Sequence, residues 1–227
     1  MLFFDPMYFV FLAPALLLGF WAQYRVKAAF AKAEKVRAPM SGAEAAQRVL
    51  GAAGLSQIGI EPVQGFLSDH YDPRRRVLRL SPQVYQGRSM AAVGIAAHEA
   101  GHAIQDARNY VPLTVRNAAV PAASFGSGIS WILIFAGMFF SQTLVWLGIA
   151  LFSVVVFFQL VNLPVEFNAS SRAKEQLVAL GIVSRADQEH VNKVLNAAAW
   201  TYIAGTLQAV LTLLYFVMRF GGMGGDE

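Results

Sequence analysis

Charge disappears from three long stretches of this chain and gathers between them. Residues 6–24 carry no charged side chain, about the length a helix needs to cross a hydrocarbon core. Trp21 and Tyr24 close the stretch like interface aromatics. Pro14 lies inside it, which a membrane helix tolerates better than a soluble one. Residues 117–165 are again uncharged, too long for one span and suited to two. The polar break Ser141-Gln142-Thr143 places a tight hairpin near the middle, with the pair of spans over residues 124–161. A last uncharged run gives a span over residues 200–218, with Trp200 and Tyr202 at its start. The Gly-rich residues 219–227 read as a flexible tail. No internal repeat is visible.

The polar segments between these spans have patterns of their own. Arg25, Lys27, Lys32, Lys35 and Arg37 face a single Glu34 directly after the first span. The positive-inside rule makes this end cytoplasmic and both termini external. Ser41-Gly42-Ala43-Glu44 is a capping box opening an amphipathic helix to about Ala53, ended by Gly54. Residues 60–80 read as β structure. Arg76-Val77-Leu78-Arg79-Leu80 alternates, and the turn Tyr71-Asp72-Pro73-Arg74 precedes it. A hairpin or a short edge strand is expected there. Such an edge either holds an extended peptide by main-chain hydrogen bonds or is purely structural. Ser89 caps a further helix to about Arg108. In residues 162–193, Gly181 separates two short helices; Pro164 suits the first turn of one and Ser184 caps the other.

The expected fold class follows: a mainly α, multi-pass membrane protein with about four transmembrane helices and a small cytoplasmic α+β region. Its segments are residues 1–24 (first span), 25–123 (cytoplasmic, with the short β element), 124–161 (hairpin), 162–199 (cytoplasmic helices), 200–218 (last span) and 219–227 (tail).

Composition narrows the chemistry. The chain has 227 residues, 56% of them hydrophobic and 14% charged, with a formal net charge of +4. The balance is far from that of soluble domains. Basic residues beside apolar spans point to anionic lipid and topology, not to nucleic acid. The absence of cysteine excludes thiolate zinc sites, so a metal here must use His and carboxylate ligands.

Such ligands stand in Ala97-His98-Glu99-Ala100-Gly101-His102-Ala103, an H-E-x-x-H run in an apolar, Ala-rich, proline-free segment. On a helix two histidines four apart share a face, so both imidazoles reach one ion. Glu99 points beside that ion, where a general base for a zinc-bound water stands. Two histidines leave a catalytic zinc site one protein ligand short. Glu166, in Leu163-Pro164-Val165-Glu166-Phe167, is a carboxylate against an apolar span. Two readings of it are open: partner to a cation, or a surface glutamate favoured at a helix N-terminus by the dipole.

The chain resembles the YugP-like neutral zinc metallopeptidases, small bacterial multi-pass proteins. The resemblance rests on Ser68-Asp69-His70-Tyr71-Asp72-Pro73, Val77-Leu78-Arg79-Leu80-Ser81, the H-E-x-x-H segment and Leu163-Pro164-Val165-Glu166-Phe167. It also looks like a wider group of membrane proteases whose third ligand is a Glu on a helix after a transmembrane hairpin. The resemblance implies one zinc ion held by His98, His102 and Glu166, with Glu99 as base. It implies hydrolysis of polypeptides, membrane proteins among them, and the positive-inside reading puts that activity at the cytoplasmic side of the cell membrane. Two positions depart from the pattern. Ser170 stands where the wider group commonly has Asp, and Asn168 where the closer family often has it.

His70, Tyr71, His190 and Arg172 have the chemistry to donate a hydrogen bond to the transition state. Two other functions compete with a protease. A non-catalytic metal-binding scaffold or regulator has no need of Glu99. A metal transporter requires ionisable residues within the spans, and the uncharged runs contain none. Substrate identity, cleavage preference and oligomeric state are not legible.

Overall fold

The structure is a computed structural model describing residues 5–221, so residues 222–227 of the expected tail lie outside the described part. Among the described residues there are seven helices and three strands. They run α1 (Pro6–Glu34), α2 (Gly42–Ala52), β1 (Gly59–Pro62), β2 (His70–Asp72), β3 (Val77–Leu80), α3 (Pro82–Tyr85), α4 (Met90–Ala107), α5 (Val111–Phe140), α6 (Gln142–Ala179) and α7 (Gln188–Gly221). The chain is mainly helical. Four of the helices, α1, α5, α6 and α7, are long and apolar enough to cross a membrane.

The chain divides into two compact units. Of the described residues, one comprises 5–21, 114–163 and 201–221. It is built from apolar helix with small residues at the contacts. A Cβ on Gly148 would lie 2.8 Å from Ser130 O, and one on Gly137 would lie 2.5 Å from Val145 N. Glycine at both positions lets α5 and α6 lie backbone to backbone, the usual device where lipid removes the hydrophobic drive between helices. Ile134, Val145, Ile149, Phe216 and Phe220 fill the space beside them. Asp5 accepts a hydrogen bond from Tyr215 Oη, with Arg219 Nε 3.9 Å from the same carboxylate.

The second unit comprises residues 22–113 and 164–200. Its centre is α4. Ala96, Ala97, Ala100 and Ala103 are all fully buried, so neighbouring helices approach its backbone closely. Ser89 starts α4, its Oγ accepting from Ala92 N at 3.2 Å. The capping box of α2 is complete: Ser41 Oγ accepts from Glu44 N, and Glu44 accepts from Ser41 N at 2.6 Å. Gly42 sits where a Cβ would meet Val84 O at 2.2 Å, which seats α2 tightly in this core.

Residues 76–80 are not at a sheet edge. The sheet order is β1-β3-β2, with β2 antiparallel and β1 parallel to β3. The expected hairpin is β2–β3, and β1 pairs on the far side of β3. The parallel partner escapes a local reading because Gly59-Ile60-Glu61-Pro62 has no clear alternation. Arg79 ties the three strands together, 3.1 Å from Asp72 on β2 and 3.6 Å from Glu61 on β1.

Residues 162–193 also differ from expectation. Pro164 does not open a separate helix; it lies inside α6, which is continuous from Gln142 to Ala179. One missing N–H is tolerated inside a long apolar helix. Gly181, at φ +64°, breaks the chain after α6, a left-handed conformation suited to glycine. Ser184 Oγ accepts from Asp187 N at 3.1 Å just before α7 begins. That helix takes in residues 219–221, so the expected tail does not begin at 219.

Candidate metal centre

Two helices of the second unit furnish the site. On α4 the four-residue spacing brings His98 and His102 one above the other, ring centroids 4.7 Å apart and planes at 87°. Both Nε2 atoms face the same oxygen of Glu166 on α6. The distances to Glu166 Oε2 are 3.3 Å from His98 and 3.6 Å from His102. The candidate ligand atoms of the three residues all lie within 4.8 Å of one another. Ligands held at 2.0–2.1 Å around a tetrahedral zinc are about 3.4 Å apart. Two imidazoles and a carboxylate are donors of the kind zinc takes, and both Nε2–Oε2 distances lie near that value, so the three residues could hold a metal ion.

Helix α6 reaches the imidazoles because of Gly101, between Glu99 and His102. A Cβ there would lie 2.8 Å from Ala169 O and 3.2 Å from Ala169 Cα. Only glycine lets the two backbones pass at this separation, and Glu166 lies one turn before the contact.

The other ring nitrogens are occupied. His98 Nδ1 lies 3.1 Å from Ser170 Oγ. His102 Nδ1 lies 3.1 Å from Gln105 Oε1. Gln105 Oε1 can only accept, which keeps the His102 proton on Nδ1 and leaves its Nε2 lone pair for a metal, while Ser170 Oγ, able to donate or accept, holds the His98 ring in place. Ser170 thus supports His98 although it departs from the Asp of the wider group. Asn168, the other departure, accepts from Gln105 Nε2 at 3.0 Å and from Arg172 Nε at 2.7 Å. Gln105 was not singled out in the sequence. Its signal is a polar side chain three residues after His102 on the same face of an apolar helix.

Electrostatics follow the burial. Desolvation opposes charge on Glu166, which is 5% exposed. The two imidazoles that face the carboxyl, His102 and His98, outweigh this penalty and hold it well below its usual range. Burial likewise opposes charge on His102, but Glu166 and Glu99 outweigh it and raise that imidazole. Glu99 is buried in the same region, at 8% exposure.

The four candidate donors are dispersed. Tyr71 Oη donates to Asp106 Oδ2 at 2.9 Å. His70 Nδ1 is 2.8 Å from Ser68 O on an exposed strand. His190 is in the first turn of α7, partly buried. Arg172 is the one joined to the centre by a chain of hydrogen bonds, through Asn168 and Gln105.

The family described as "Putative neutral zinc metallopeptidase" matches residues 8–221. The chain is 50% identical over 225 residues to the "Putative membrane protease YugP" of Bacillus subtilis (strain 168), covering 97% of this chain and 100% of that relative. No solved structure matches the chain.

Proposed function

Since the chain belongs to the family of neutral zinc metallopeptidases, we propose that it is a membrane-embedded, zinc-dependent endopeptidase acting on polypeptides at the cytoplasmic face. The supporting observation is the convergence of His98 Nε2 and His102 Nε2 on Glu166 Oε2 at 3.3 and 3.6 Å. These three residues would hold one zinc ion. Bound there, zinc supplies a Lewis acid that brings a water's pKa to about 7 and polarises a carbonyl.

The residues of the chain do the rest. Glu99 takes the proton from the attacking water and returns it to the leaving amine. Ser170 and Gln105 keep the imidazoles turned so that their Nε2 atoms face Glu166. An extended polypeptide can add to an outer strand of the sheet by main-chain hydrogen bonds. The nearer one is β2, tied to α4 by the Tyr71–Asp106 hydrogen bond. The basic run from Arg25 to Arg37 supports a cytoplasmic position for this region.

The test is hydrolysis by the purified full-length chain in detergent. Cleavage of an unfolded polypeptide should cease with a chelator and return with zinc. Cleavage that continues after complete removal of metal would overturn the reading.

A further inference from the structure

We infer that Gln105 is a positioning residue that sets the tautomer of His102, holding the proton on Nδ1 and the Nε2 lone pair toward Glu166. The inference rests on His102 being a metal ligand, as proposed above.

The direction of each hydrogen bond is dictated by groups that have no choice. Arginine can only donate. The atom of Asn168 that lies 2.7 Å from Arg172 Nε is therefore its oxygen. That same oxygen lies 3.0 Å from Gln105, so the Gln105 atom facing it is the amide nitrogen. A second group says the same: Gln105 Nε2 lies 2.8 Å from the backbone carbonyl of Val165, which can only accept. Both amide hydrogens are then committed, and Gln105 Oε1 is left 3.1 Å from His102 Nδ1. An oxygen there requires a proton on Nδ1. In the neutral ring Nε2 then bears the lone pair, and that atom is 3.6 Å from Glu166 Oε2.

Burial makes the arrangement stringent. Gln105 has no exposed surface, so water cannot substitute for any of its partners, and reversing the amide would set a donor against a donor and an acceptor against an acceptor. Gln105 also fixes more than a ring. Val165 immediately precedes Glu166, so one side chain on the histidine helix grips the backbone of α6 beside the third candidate ligand. Arg172 acts at a distance, by fixing which way the Asn168 amide points. Asp at position 168 would accept from both neighbours in the same sense.

The experiment uses the full-length protein in detergent, with nitrogen-15 in its four histidines and His102 assigned from the spectrum of His102→Gln. Ring nitrogen shifts of the metal-free protein are recorded at a pH alkaline enough for the ring to be neutral. Affinity is measured with zinc alone, against a competing chelator. The wild-type ring should carry its proton on Nδ1. Gln105→Met, similar in size and without amide groups, should lose that preference and bind zinc ~10- to 100-fold more weakly, the usual cost of removing a partner behind a metal-binding histidine. If Gln105→Met does not fold, Asn168→Ala removes one of the two anchors and should move both readings the same way by less. A wild-type ring with its proton on Nε2 would overturn the inference, whatever the variants do. So would a Gln105→Met protein with an unchanged ring and zinc affinity within about 2-fold of wild type. Failure of the wild-type protein to bind zinc would sink the proposed function instead, leaving the ring spectrum to judge Gln105.

Discussion

Gly101 and Ala169 are in backbone contact, with room for a hydrogen but not a carbon between them: a Cβ on Gly101 would stand 2.8 Å from the Ala169 oxygen. This contact brings a carboxylate on α6 to two imidazoles on α4. The obstructing atoms are main chain on both sides, so no side-chain rotation can make space.

Gly101→Ala is accordingly expected to push α6 outward. Overpacking of this kind costs ~1–3 kcal/mol. The loss should be visible as a lower midpoint of thermal unfolding in detergent. Zinc affinity should fall with it, although no candidate ligand has been touched. A variant that melts and binds zinc like wild type would mean that the helices part more easily than their packing indicates.

Glu166→Ala is expected to remove a ligand and leave the two histidines without the carboxylate that both of them face. Zinc retained after dialysis, measured by elemental analysis, should drop by more than the ~10- to 100-fold that losing an outer partner costs. Unchanged metal content would exclude Glu166 from the site.

Glu99→Gln separates binding from chemistry. The amide keeps the size of the carboxylate but cannot take a proton. Zinc content should be preserved while hydrolysis falls by ~10²- to 10⁴-fold, the usual contribution of a general base. Wild-type rates in this variant would remove Glu99 from the mechanism, and no measurable cleavage by the wild type would favour a metal-binding scaffold.

The capping box of α2 makes a pH-dependent contribution with a definite sign. The Ser41 N–H holds the Glu44 carboxyl below its usual 4.5, with Arg88 assisting. Because the folded value is the lower one, the stabilisation is complete above about pH 4.5 and is lost as pH falls through the folded pKa. The protection of Ser41 N–H against hydrogen exchange, relative to the intrinsic rate at each pH, should fall in that acid window. Glu44→Gln still accepts the bond through its carbonyl, and should show no acid step. Identical pH profiles for the two proteins would dissociate Glu44 from the effect.

What could be read from the residues tracks the distance over which each feature is decided. Ser41 and Glu44, or His98 and His102, are three or four positions apart, where helix geometry alone puts them in register. Glu166 is 68 residues from His98, and no spacing rule spans such a gap; only the family resemblance joined them. Gln105 went unnoticed because its partners Val165 and Asn168 are 60 and 63 residues away. Pro164 misled for the opposite reason. A local rule places it at a helix start, whereas α6 continues past it. The parallel pairing of β1 with β3 also depends on residues apart in sequence, Gly59 opposite Val77.

The alanines along α4 have a dynamic consequence. Ala96, Ala97, Ala100 and Ala103 have no rotamers, so ordering that face on folding forfeits no side-chain entropy. No side-chain rotamer change can loosen the packing of that face. The alignment of the imidazoles should therefore survive temperature changes that loosen cores built from longer, jointed side chains.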